Sequence, residues 1–191
     1  CYNDCTINGD ATVRITGGRV ARFEGNAADA TTGKNTAIYD GCGTAAAPQE
    51  TGYLYNFEQV TLKNGAQVSI DADPTLFPAL PAVQKPFYSV NNLEIKEGSS
   101  LTTDNGQVWI WGDTVINGTW EQLHSQTADY NDIFVSGTTQ IGSKGHLINH
   151  GTSNLKGAVT NDGVMAFMGW ALLQNNYTAN NGELRLPVVA D

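Results

Sequence analysis

Histidines, paired carboxylates and clustered tryptophans are the side chains of this 191-residue chain whose types could do chemistry. His146 and His150 stand four apart, a spacing that brings two imidazoles together on a helix but not on a strand. With His124 they complete the histidines, yet no identifiable nucleophile accompanies them and no GxSxG elbow occurs. Asp71 and Asp73 would share one side of a strand, and Asp129 and Asp132 flank Tyr130. Paired acids on one face suit glycoside cleavage or a Ca2+ site. Lyase chemistry also needs a Lys or Arg beside them, and neither pair has one. Solvated turn aspartates are the expectation. The sequence therefore points to no catalytic residue and no cofactor, with structural Ca2+ the one ion these acids would suit.

The aromatic residues offer a route to binding. Trp109, Trp111, Trp120 and Tyr130 fall within a short span. On a strand, Trp109 and Trp111 share one side and Ile110 takes the other. With Ile110 in the core, both indoles lie outside as a platform for sugar rings or another protein. The opposite parity buries both. These four aromatics are the candidate ligand or partner contacts.

All three cysteines, Cys1, Cys5 and Cys42, lie near the start of the chain. An odd number leaves at least one without an intramolecular partner. A Cys5–Cys42 or Cys1–Cys42 bridge in an oxidising compartment is one economical account, and a bridge to a neighbouring subunit is another. If Cys5 takes Cys42, Cys1 is placed to be the lipid-bearing first residue of a mature lipoprotein. A first residue that is not Met points to processing or to a piece of a longer protein. The spacing CxxxC with one distant Cys lacks the second ligand pair of a zinc site.

These side chains must be positioned by short strands. Glycine recurs every six residues at Gly145, Gly151, Gly157, Gly163 and Gly169. Six is no helical period, and interior glycine costs a helix about 1 kcal/mol against alanine. A coil of short strands with a permissive residue at each corner fits. Apolar residues follow the glycines by two at Leu147, Val159 and Met165, and by four at Leu155 and Phe167. Alternation predicts that these point inward and stack. Strand-like alternation recurs over 11–23, 57–70, 91–101, 107–123, 131–149 and 182–189, and the best helical candidate, 171–177, is too short to stand alone. Gly, Asn and Thr together make close to a third of the chain, as an all-β protein with Asn-Gly corners requires.

The expected fold is therefore all-β, a parallel β-solenoid forming one domain over 1–191. Residues 1–56 read as a capping, irregular N-terminal part. Residues 71–87, with Pro74, Pro78, Pro81 and Pro86, read as a loop excursion, since none of those prolines fits an interior strand.

A formal charge of −9 with ten Lys and Arg residues excludes a basic nucleic-acid stripe, and Arg14, Arg19 and Arg22 read as exposed strand positions. No apolar run approaches the ~18 residues of a membrane span.

The run ADYNDIFVSGTTQIGSKGHLIN resembles a recurring pattern of bacterial autotransporter passengers and related surface β-helix adhesins. YNFEQVTLKNGAQVSI and VNNLEIKEGSSLTTDNGQV are similar to the strand–Gly–strand units of the same proteins. The resemblance covers roughly 52–70 and 90–169, and implies a right-handed parallel β-helix exposed at a cell surface. The implied role is noncatalytic adhesion or self-association, with a second copy or a host or cell-surface glycan or protein as partner. A polysaccharide-binding or -cleaving β-helix is the alternative. A left-handed hexapeptide-repeat acyltransferase ranks last, because the aliphatic position it needs is Ser153.

Overall fold

The computed structural model describes residues 4–7, 9–25, 32, 34–71, 88–104, 106–123 and 133–186. Among them the fold is all β. In chain order the strands are β1 (Asp4–Thr6), β2 (Thr12–Ile15), β3 (Val20–Glu24), β4 (Thr36–Asp40) and the long β5 (Gln49–Lys63). They continue as β6 (Gln67–Asp71), β7 (Tyr88–Ile95), β8 (Ser100–Asp104), β9 (Val108–Ile110) and β10 (Thr114–Ile116). Then follow β11 (Thr119–Gln122), β12 (Ile133–Val135), β13 (Thr139–Ile141), β14 (His146–Asn149) and β15 (Ser153–Leu155). The last are β16 (Val159–Asn161), β17 (Val164–Phe167), β18 (Ala171–Leu173), β19 (Tyr177–Ala179) and β20 (Glu183–Arg185).

Every ladder between these strands is parallel. Consecutive strands do not pair as hairpins; each pairs with the strand one coil later, which is the geometry of a β-solenoid. Three faces result. The first stacks β2, β4, the end of β5, the end of β7, β10, β13, β16 and β19. The second runs from the start of β5 through β6, β8, β11, β14, β17 and β20. The third stacks β1, β3, the middle of β5, the start of β7, β9, β12, β15 and β18.

The interior is built by alternation. Tyr39, Leu62, Ile95, Ile116 and Ile141 follow one another along the first face, one per coil. All are at most 1% exposed. The five residues expected to point inward from the glycine repeat, Leu147, Leu155, Val159, Met165 and Phe167, are likewise at most 1% exposed. Burying each such side chain is worth about 1.5–3 kcal/mol.

The hexad maps onto the triangle. Asn161 pairs with Ala179 eighteen residues on, three hexads for three faces. The repeating glycines sit at the corners, but none has a positive φ. What demands glycine there is the approach of the neighbouring coil. A Cβ at Gly145 would strike the Ile116 carbonyl oxygen, one at Gly157 that of Gly137, and one at Gly169 that of Gly151. Two of the corners are also closed from inside by asparagine. Fully buried Asn149 and Asn161 each accept a hydrogen bond from the backbone N–H two residues on, Gly151 and Gly163, both at 3.0 Å.

Two expectations are corrected. The N-terminal part, residues 1–56, is less irregular than expected, because Thr36–Asp40 and Gln49–Lys63 join the ladders. Their alternation is hidden by small and polar residues, but Ala37, Tyr39 and Leu54 face inward. The segment 171–177, too short to be read as a helix, holds β18 and the start of β19. The bridge through Cys42 is not found. That thiol is free and 2% exposed, packed into the core. Cys1 and the side chain of Cys5 lie outside the described residues, as does the proline-bearing excursion beyond Asp71. Among the described residues no helix is long and apolar enough to cross a membrane.

Candidate functional site

The parity of β9 decides the tryptophan question. Val108 and Ile110 are fully buried, so Trp109 points outward from the third face, and Trp111 follows at the corner on the same side. Both are half-buried. In-register pairing with β12 sets Phe134 directly beside Trp109, on the outside again because Ile133 and Val135 face in. The three rings form one cluster. Trp109 and Trp111 meet edge to face at 5.5 Å between centroids, and each lies 5.7 Å from Phe134. Such tilted contacts are the favoured geometry of ring quadrupoles. The Trp111 indole N–H donates to Ser89 Oγ at 3.2 Å, and the Lys156 ammonium rests 5.0 Å above the Phe134 centroid. Because the rings are tilted, the surface is faceted, with single ring faces offered in turn.

Trp120 does not belong to this surface. It is fully buried from β11, where its indole N–H donates to Thr103 Oγ1 at 3.1 Å. Thr103 in turn donates to Gln122, forming an enclosed polar network beside the core cluster to which Trp120 belongs. Tyr130 lies outside the described residues. Phe134 and Lys156 were missed by sequence reading. Their signal was available: Phe134 is the central residue of the apolar triplet IFV, and Lys156 follows Leu155 at a corner.

The other candidates do not converge. His146 and His150 are both exposed; His150 Nε2 lies 3.0 Å from Glu121 Oε1 on the neighbouring coil. Asp71 is in register with Asp104 on β8, while Asp73, Asp129, Asp132 and His124 lie outside the described residues. Among the described residues no group of three or more His, Cys, Asp or Glu is placed to hold a metal ion. Arg14, Arg19 and Arg22 each meet a carboxylate: Asp40 at 3.4 Å, Glu50 at 2.6 Å and Glu24 at 2.9 Å. They do not form an anion site.

Shifted ionisations are structural in origin. A hydrogen bond from the Asn64 amide at 2.6 Å holds the Asp40 carboxyl below its usual range, against some desolvation and with help from Lys63 and Arg14. Burial pushes the Cys42 thiol up, and burial likewise raises Tyr39, whose hydroxyl meets Thr51 Oγ1 at 3.1 Å.

What remains is a rigid outward cluster of three rings beside one lysine, on a face whose backbone is locked by ladders on both sides. No protein-family model, no curated protein and no solved structure matches this chain.

Proposed function

We propose that the chain is a noncatalytic extracellular protein of a bacterial cell surface, a right-handed β-solenoid that adheres or self-associates through its sides. The right hand follows the general preference of parallel crossovers. The surface location follows the Gly-, Thr- and Asn-rich composition and the resemblance to surface β-helix adhesins. One observation carries the contact role: Trp109, Trp111 and Phe134 present aromatic area from a scaffold that needs no ordering on binding. Aromatic anchors on pre-organised backbone are what binding surfaces use, since little side-chain freedom remains to be lost.

The test compares wild type with Trp109→Ala/Trp111→Ala for attachment to whole cells and for self-association by light scattering. The expected result is loss of at least one of these with an unchanged thermal transition. Retention of both refutes the assignment of this face.

A further inference from the structure

We infer that the aromatic cluster receives an acidic pyranoside, a uronate- or sialate-type sugar, with its ring on the indoles and its carboxylate on Lys156. The inference rests on the reading of this face as a contact surface and adds the chemistry of the occupant. Charge supplies the first reason. The chain carries 19 Asp and Glu residues against ten Lys and Arg. Yet the stretch of the outward row from Ser89 through Trp109 and Phe134 to Asn154, with Trp111 and Lys156 beside it, contains no carboxylate. Glu24, two coils before Ser89 on that row, is paired with Arg22. Arg14, Arg19, Arg22, Lys63, Lys96, Lys144 and Arg185 all lie within ion-pair distance of an acid. Lys156 has no such partner among the described residues and is exposed over a ring. In an acidic molecule this is a positive spot, and it borders the aromatic surface.

Hydrogen-bonding chemistry supplies the second reason. Gln174 donates to Asn154 Oδ1 at 2.8 Å, which engages one of that oxygen's two lone pairs and leaves the Asn154 NH2 group on the edge that can donate. Lys156 is purely a donor. The side of the cluster toward β15 therefore holds donors for the carboxylate and ring oxygens of an acidic sugar, which an apolar protein surface would leave unused. Geometry supplies the third. The ammonium lies 5.0 Å from the Phe134 centroid, and its flexible stem lets it leave the ring for a carboxylate on a sugar stacked there.

The test is titration of tetragalacturonate, its methyl ester, a hyaluronan octasaccharide and sialyllactose, followed by tryptophan fluorescence and calorimetry at low and high salt. At least one acidic probe should bind, and tetragalacturonate, if it is that one, should bind at least fivefold more tightly than its ester. Lys156→Gln should reduce acidic binding about five- to tenfold and abolish its salt dependence, with Lys156→Arg retaining most of it. Trp111→Phe should weaken every bound probe, and Trp109→Ala/Trp111→Ala should remove binding. Loss of binding on the tryptophan changes with no effect of Lys156→Gln overturns the acidic assignment and leaves the contact surface standing. No binding of any acidic probe overturns the inference. If light scattering then shows self-association that the tryptophan changes remove, the occupant is a second copy.

Discussion

Gly145→Ala is the sharpest perturbation of the coil. Its φ is not left-handed, so a local backbone account predicts little effect, or even a gain from lower chain entropy on unfolding. Contacts predict the opposite. The new Cβ would meet the Ile116 carbonyl oxygen, with the Ile116 carbonyl carbon and Ile141 Cγ2 both at 2.9 Å. The corner cannot move away without cost, because His146 N–H donates to Gly118 O at 2.8 Å and Val164 N–H donates to Gly145 O at 2.9 Å, pinning it to both adjacent coils. Overpacking costs about 1–3 kcal/mol, and lengthening one ladder bond adds about 1 kcal/mol, so a loss of about 2–4 kcal/mol is expected. For a chain of this size that lowers Tm by roughly 4–16 °C. Gly98→Ala is the control. Gly98 has φ +78° and no atom within 4 Å of an added Cβ, so only the left-handed penalty of about 1–2 kcal/mol applies. Urea unfolding of both variants decides. If Gly145→Ala falls within about 0.5 kcal/mol of wild type, or costs less than Gly98→Ala, the steric explanation of the hexad is wrong.

Three further outcomes follow, two from the interior and one from the outer side of β4. Trp120→Ala should cost about 3–5 kcal/mol by urea unfolding while leaving ligand binding at the outer face unchanged in folded protein; a small loss would contradict its burial. The depressed Asp40 carboxyl stabilises the fold above the unfolded value near pH ~4, and that contribution is lost as pH falls through its lower folded value. Asp40→Asn should therefore be the less stable protein at neutral pH and converge on wild type in acid, and a gap that stays constant from neutral to acid pH would refute the linkage. In a Cys1→Ser/Cys5→Ser background, Cys42 should react with iodoacetamide far more slowly in folded than in urea-unfolded protein, since burial disfavours the thiolate. Equal rates would show that the thiol is accessible.

Period and parity made the coil legible. The six-residue glycine interval and the inward set Leu147, Leu155, Val159, Met165 and Phe167 specify short strands that progress without reversing. What sequence could not provide was the reason for the glycines, because the oxygens that a Cβ at Gly145, Gly157, Gly163 or Gly169 would strike belong to another coil. Residue chemistry was also a poor guide to facing. Thr114, Thr139 and Ser153 are buried, while Val115 and Phe134 point out. Trp120 resembled its neighbours Trp109 and Trp111 by type, yet it falls on the inward parity that Val108, Ile110, Thr114 and Ile116 share, while Trp109 and Trp111 fall on the outward one. The asparagine that closes a corner had a readable signature in Asn149-His150-Gly151 and Asn161-Asp162-Gly163, an Asx turn with glycine two residues on.

Because every ladder joins one winding to the next, the hydrogen bonds point along the long axis while the chain itself runs across it. A load applied to the two ends therefore strains those bonds in series, and the outermost winding yields before its neighbours. Between Asn161 and Ala179 each release would pay out eighteen residues, roughly 60 Å of extended chain. Under tension the molecule would lengthen stepwise, dissipating force one winding at a time while the remainder stays folded.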